Sequence, residues 1–266
     1  MTVIGIVVPT LGTRGHWLRQ TLWSIRTQQG PHDVRLLIVC PDARSVSAAA
    51  SEVDAEILES PRPGLSAAVN DGFKSLTSVD ALAWLGDDDI LAPGSFLASI
   101  NALFASGVVA TYGDVRYIDE RGTTLFVTRP GRFASIYLPW GKDLVPQPGS
   151  LFRANAVNQV GLVDESLRWA MDFEYFLRLK RLGALRYIPQ EVAAFRLHST
   201  GITSNQTGFE AEEVRSKYHS PAMNRVRRIV APAQRQADRV LYRALRRGRH
   251  TPVPLIQGEP YVTWTP

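Results

Sequence analysis

The chain has 266 residues, 45% hydrophobic and 21% charged, which is ordinary globular usage; it excludes a disordered or fibrous polymer and allows one sizeable core. The formal net charge of +5 is unevenly held, because eleven basic residues and one acid fall between Arg215 and Arg249, leaving 19 basic against 24 acidic residues elsewhere. An acidic body with a cationic tail argues against a basic nucleic-acid groove and gives the tail a partner surface of its own.

The first residues carry no basic leader and reach Pro9 before a signal core could be completed, so Val3 to Val8 reads as a strand. No stretch approaches the ~18 uninterrupted apolar residues of a membrane span. The single cysteine, Cys40, lies in the apolar run Val34 to Cys40 and reads as a small buried hydrophobe. Together these predict a cytoplasmic protein.

Strand patterns at Val3 to Val8, Val34 to Cys40, Ala55 to Glu59 and Ala81 to Leu85 alternate with helical patterns at Trp17 to Gln28, Arg44 to Ser51, Leu65 to Leu76 and Gly94 to Ser106. Such alternation predicts an α/β fold, a mostly parallel Rossmann-like sheet with flanking helices. Ligands of these sheets bind beyond the carboxyl ends of the strands, so the loops after Val8, Cys40, Glu59 and Leu85 are where chemistry belongs.

Past residue 107 the pattern changes. Val109 to Val115 and Leu125 to Thr128 flank the turn Asp119-Glu120-Arg121-Gly122 and predict a hairpin. A proline- and glycine-rich loop follows from Pro139 to Pro148, then a helix over Met171 to Leu182 closed by Gly183, and a last strand over Ala193 to Leu197. The organisation predicted is an α/β domain over 1–205, divided into two halves (1–107 and 108–205), with a helical extension over 206–266. In that extension Ala233, Ala237, Val240, Leu241 and Ala244 form an apolar stripe opposed by Arg235, Arg239, Arg243 and Arg246.

The clearest chemical signal is Asp87-Asp88-Asp89, three carboxylates directly after an apolar strand. Their repulsion and desolvation are costly unless a cation neutralises them. A hard divalent ion, Mn2+ or Mg2+, takes one or two carboxylates and completes its shell with water and substrate phosphates, so a short acidic cluster suits a phosphate-bearing substrate better than an all-protein cage. Read without its context, the triplet is equally a solvated turn at the positive end of the helix that follows Pro93.

The context resembles the family-2 glycosyltransferases of the GT-A fold. The resemblance runs from Val3 to about Asn205 through Val7-Val8-Pro9-Thr10, Pro63-Gly64-Leu65-Ser66-Ala67-Ala68-Val69-Asn70, the acidic triplet, Pro146-Gln147-Pro148-Gly149-Ser150, Ala170-Met171-Asp172-Phe173-Glu174 and Phe195-Arg196-Leu197-His198. It implies that Pro9, Thr10, Leu11, Asp42, Gly64, Asn70, Asp87 and Asp88 meet a nucleotide-sugar. Asp87 and Asp89, joined by His198, are implied as metal ligands, although Asp88 with Asp89 suits the double-aspartate variant of the motif. Asp172 is implied as the catalytic base that takes the acceptor hydroxyl's proton, a role a carboxylate near the anomeric carbon can fill. Asp114, Trp140 and Trp169 are candidates for contacting the donor sugar or the acceptor.

Two departures from the family pattern stand out. The second strand runs into Cys40-Pro41-Asp42 rather than ending on an acid, and Gly86 replaces the first acid of the longer metal motif. The donor implied is a UDP- or dTDP-sugar ahead of a GDP-sugar. The acceptor is a carbohydrate or a lipid-linked one, with the cationic tail offered to an anionic membrane surface. Two other classes share some features: a nucleotidyltransferase, faintly echoed in Gly12-Thr13-Arg14-Gly15, and a nucleic-acid-binding protein working through its arginine-rich tail.

Overall fold

A computed structural model describes residues 1–28, 30–140, 143–200 and 209–219, together with 224, 225, 236, 240 and 243–247. Its centre is one ten-stranded sheet ordered β10-β7-β6-β8-β4-β1-β2-β3, with β9 paired to both β5 and β6. β1 (Thr2–Pro9), β2 (His32–Cys40), β3 (Glu56–Glu59) and β4 (Ala81–Trp84) are mutually parallel, as the strand-helix alternation predicts. β5 (Ile90–Leu91) runs antiparallel to β9 (Ala184–Arg196), β6 (Val108–Ile118) forms the predicted hairpin with β7 (Thr124–Thr128), and β8 (Leu151–Arg153) joins the two halves.

Alternation along the strands divides the apolar residues between two cores. Ile4, Ile6, Val8, Leu36, Ile38 and Cys40 face one side, where α1 (Gly15–Arg26), α2 (Ser47–Glu52) and α4 (Ser95–Leu103) cover them. Val7, Leu37, Val39, Leu82 and Trp84 face the other, under α3 (Leu65–Ser75), α6 (Ala154–Val160) and α7 (Met171–Leu182). Trp84 anchors this second core, stacked on Phe152 at 5.1 Å and meeting Tyr175 and Phe73 edge-on. Cys40 is buried, as its apolar surroundings predict.

Two elements differ from their predicted form. The helix expected over Arg44 to Ser51 is split into a 3-10 turn, Ala43–Ser45, and α2, because Asp42 caps the turn by accepting from the Arg44 N–H at 3.0 Å. The last strand starts nine residues earlier than expected; Arg186, Pro189 and Glu191 hide it from a hydropathy reading, yet it pairs parallel to β6 from Ala184 onward. Of the 206–266 extension, α8 (Phe209–Tyr218) packs on α7, and Val214 is fully buried in the same core as Trp84. β10 (Arg246–Arg247) adds to β7 through backbone pairing. Of the arginine-opposed stripe, Ala233, Ala237 and Leu241 lie outside the described residues, and Val240 is exposed. Among the described residues no helix is long and apolar enough to cross a membrane.

Candidate functional site

β1 and β4 are neighbours in the sheet, so the segments leaving their carboxyl ends emerge side by side. Thr10 follows β1 and is tied down by its N–H donating to the Val39 carbonyl at 2.9 Å. Its hydroxyl donates to Asp87 Oδ2 at 2.5 Å, fixing the acidic turn to the end of the first strand. The Arg14 guanidinium, on the residue before α1, reaches Asp87 Oδ1 at 3.1 Å and Asp88 Oδ2 at 2.8 Å. Burial pushes the Asp87 carboxyl up from its ordinary range, and the Thr10 hydroxyl and Arg14 charge draw it back.

The β5–β9 pairing brings a third segment to this point. Ile90 opposes Ala194 and Leu91 opposes Ala193, so the chain past Arg196 runs beside the acidic turn. His198 lands with Nε2 at 2.7 Å from Asp88 Oδ2 and Nδ1 at 2.9 Å from the Thr200 hydroxyl. Trp17 packs against the imidazole, ring centroids 4.9 Å apart, and also carries the Arg196 guanidinium 5.1 Å above its ring.

Asp89 turns away from this group. It is 3% exposed, and its Oδ1 accepts the Arg196 N–H at 3.0 Å while its carbonyl accepts the Thr21 hydroxyl at 2.7 Å. Burial, with the adjacent Asp88 charge, raises its pKa well above the carboxylate range. The pairing of Asp87 with Asp89 expected from DxD spacing is therefore not what the structure brings together: Asp88 is the acid that meets His198. The physical reason is the antiparallel β5–β9 ladder, which commits Asp89 to bracing β9. Gly86, the residue without an acid, leaves room for this arrangement, since a Cβ there would lie 2.7 Å from Asp88 Oδ1 and 3.1 Å from Asp89 Oδ2.

The fit to a divalent ion follows from these positions. Among the described residues, no three histidine, cysteine, aspartate or glutamate side chains are grouped to hold a metal. One carboxylate and one imidazole do meet, at Asp88 and His198, which matches the sparse protein shell of an ion whose other positions are filled by phosphate oxygens and water. Arg14 supplies positive charge to both Asp87 and Asp88 in the same place.

The remaining predicted residues occupy the same edge or support it. Pro9 ends β1 and is buried, Leu11 beside it is 73% exposed, and Asp42 sits past β2, half-buried and paired to Arg44 at 3.0 Å. Gly64 opens α3 at φ +101, a backbone state that only glycine adopts without strain, and leaves its surroundings open. Asn70 is buried and its amide is fully used: Nδ2 donates to the Val163 carbonyl and to Glu165 Oε1, and Oδ1 accepts the Val163 N–H, each at 2.9 Å. Asn70 thus braces α3 against the 163–165 loop.

Asp172 occupies the first turn of α7, which meets the start of α3 where the Ser66 hydroxyl contacts Met171 Sδ at 3.0 Å. It is half-buried, and its Oδ1 accepts the Phe173 N–H at 2.8 Å. Burial pushes its pKa up to about 6. No hydrogen bond joins it to the Asp87, Asp88 and His198 group among the described residues. Asp114 is buried on β6, where Tyr187 donates to it at 2.6 Å and Arg129 approaches to 3.3 Å. Trp169 packs partly buried on the core, and Trp140 is half-exposed and stacked on His219 at 5.5 Å.

Arg14, Thr200 and Arg196 carry much of the site's charge and order, and the sequence reading did not single them out. For Arg14 the available signal was a cation in the turn after the first strand. For Arg196 and Thr200 none existed, because their role comes from the β5–β9 pairing.

The family model described as glycosyl transferase family 2 matches residues 5–161, more than half of the chain. An uncharacterized glycosyltransferase of Rickettsia conorii is 24% identical over 144 residues, covering 51% of this chain and 24% of the relative. Its counterpart in Rickettsia typhi is 24% identical over 149 residues, 53% of this chain and 46% of the relative, so the chain spans less than half the length of these curated relatives. Among solved structures, S. aureus TarS 1-349 in complex with UDP-GlcNAc superposes with a TM-score of 0.56 at 15% identity, covering 80% of this chain and 64% of that one. The same fragment in complex with UDP gives 0.55 at 14% identity, covering 80% and 63%. The α/β architecture is accordingly the GT-A one, and the chain belongs to glycosyl transferase family 2.

Proposed function

We propose that the chain is an inverting, metal-dependent glycosyltransferase that moves a sugar from a nucleoside-diphosphate sugar to an acceptor hydroxyl. The observation that carries this reading is the convergence of Thr10, Arg14, Asp87, Asp88 and His198 at the carboxyl ends of β1 and β4. A group of that composition recognises a diphosphate: Asp88 and His198 would hold the divalent ion, Mn2+ or Mg2+, and Arg14 would share the phosphate charge. When bound, that ion supplies electrostatic stabilisation of the departing nucleoside diphosphate.

The protein's own residues do the rest. The exposed edge formed by Leu11, Asp42 and Gly64 receives the nucleotide, with UDP or dTDP favoured over GDP; the UDP-GlcNAc and UDP complexes of TarS support the uridine choice. Asp172, with a pKa of about 6, accepts the acceptor hydroxyl's proton as the new bond forms. A single displacement inverts the anomeric centre, and no covalent sugar-enzyme intermediate arises. The acceptor proposed is a carbohydrate or lipid-linked chain of the cell envelope, made at the cytoplasmic face of the membrane with the cationic tail on anionic lipid.

A thermal-shift screen of nucleoside diphosphates with Mn2+ tests the donor side, because binding raises stability by mass action. UDP or dTDP should stabilise the protein only when the ion is present. Release of pyrophosphate instead of a nucleoside diphosphate would assign the chain to nucleotidyl transfer instead.

A further inference from the structure

α8 meets α7 at the end that carries Asp172. The Arg168 N–H donates to Glu210 Oε1 at 2.7 Å, and the Trp169 and Ala170 N–H groups donate to its Oε2 at 2.9 and 2.7 Å. Three successive backbone donors aimed at one carboxylate make an anion nest, and this one lies at the positive end of α7. Ala170, the N-cap residue, has no side chain able to cap the helix, so the cap comes from a different helix.

The rest of α8 is built to hold Glu210 there. Val214 is fully buried, the Tyr218 hydroxyl donates to Glu174 Oε1 at 2.5 Å, and Arg181 lies 4.5 Å from the Tyr218 ring. Burial alone would raise the Glu210 pKa, yet the three backbone donors hold it below its ordinary value, so it is charged at neutral pH.

We propose that Glu210 is a positioning residue for the transfer reaction: its carboxylate fixes the turn that enters α7 and with it the placement of Asp172. The proposal rests on Asp172 acting as the base. Burial first, and the Glu210 charge in addition, raise the Asp172 pKa. The other charged groups around this turn are committed: Glu174 to Arg178 at 2.7 Å and to Tyr218, and Arg215 to Glu212 at 3.4 Å above the Phe173 ring. The Arg168 charge acts on Glu210, drawing its pKa down.

The test compares the full-length protein with its Glu210→Gln, Glu210→Ala and Asp172→Asn variants by pH–rate profile and by amide hydrogen exchange of residues 168–173. Glu210→Gln keeps an acceptor oxygen but not the charge, so the acidic limb of its kcat profile should move to lower pH by several tenths of a unit. Glu210→Ala should speed exchange of the three amides and lower kcat by roughly tenfold or more, as displaced catalytic groups do. Unchanged exchange and an unchanged acidic limb in Glu210→Gln would overturn the proposal even if Glu210→Ala does not fold. If Asp172→Asn keeps full turnover while the Glu210 variants still free the amides, the base assignment has failed and the anchor stands.

Discussion

His198 and Asp88 are separated by 110 residues in sequence, yet the imidazole Nε2 lies 2.7 Å from the carboxylate Oδ2. Two potential metal ligands in direct contact, beside an acid that faces inward, divide the acidic triplet into unlike roles. Asp88→Asn and His198→Ala should each weaken Mn2+-dependent UDP binding by more than about tenfold, the cost of losing even an outer partner of a metal. Asp89→Asn should instead leave that binding nearly intact and leave the fold at least as stable at pH 7.5, since it removes a carboxyl whose pKa burial raises while its amide oxygen still accepts the Arg196 N–H. Calorimetric titration and chemical denaturation separate the two outcomes. A larger binding loss in Asp89→Asn than in Asp88→Asn would reverse the assignment.

Asp172 joins a catalytic prediction to a stability one. As the proposed base, with a pKa of about 6, it would act only when deprotonated, so kcat should fall as pH drops through that value. Asp172→Asn should bind UDP normally and lose about 10²- to 10⁴-fold in turnover. The stability effect has the opposite sense. A carboxyl whose folded pKa lies above its ordinary 3.8 favours the folded state below pH 3.8, and that contribution is lost as pH rises through about 6. The Asn variant should therefore melt higher than the parent at pH 7.5, by at most about 3 kcal/mol, and lose the advantage near pH 4. Equal melting temperatures at pH 7.5 would show that burial does not strain the charged form.

Asn70 yields a prediction by which its two roles separate. Its amide makes three hydrogen bonds to Val163 and Glu165 and is 1% exposed. Removing it leaves the Val163 N–H and carbonyl without their partner, at about 1–3 kcal/mol for each unsatisfied group. Asn70→Ala should lower the urea midpoint strongly while UDP affinity, measured below the transition, changes less than about threefold. A binding loss at full folding would return Asn70 to the nucleotide.

These outcomes show where the sequence is legible. The parallel half of the sheet could be read because β1, β2 and β4 alternate between two cores and their loops carry the acids, the proline and the glycine that local patterns reveal. The helix that carries Asp172 could be read because α7 has a clear helical period closed by Gly183. What could not be read depends on pairing between distant segments. Nothing local distinguishes Asp88 from Asp89 until β5 docks on β9, and nothing near Ala170 announces that Glu210 caps its helix. The bracing bonds of Asn70 were hidden for the same reason, as its partners lie 93 and 95 residues away.

Arg14 supplies the last test. Its guanidinium binds Asp87 and Asp88 together, so it already does part of what a bound cation would do, and an ion entering at Asp88 and His198 has to compete with it. A charge-assisted hydrogen bond of this kind contributes about 1.5–3 kcal/mol, which corresponds to roughly tenfold or more in affinity. Arg14→Ala should therefore bind Mn2+ alone about tenfold more tightly than the parent, because the two carboxylates lose their resident counter-charge. The same variant should bind UDP with Mn2+ more weakly, because the diphosphate loses a cationic partner. Opposite signs for ion alone and for ion with UDP are what a shared cation position requires. If Mn2+ affinity falls along with UDP affinity, Arg14 instead organises the acidic turn, and the competition does not exist.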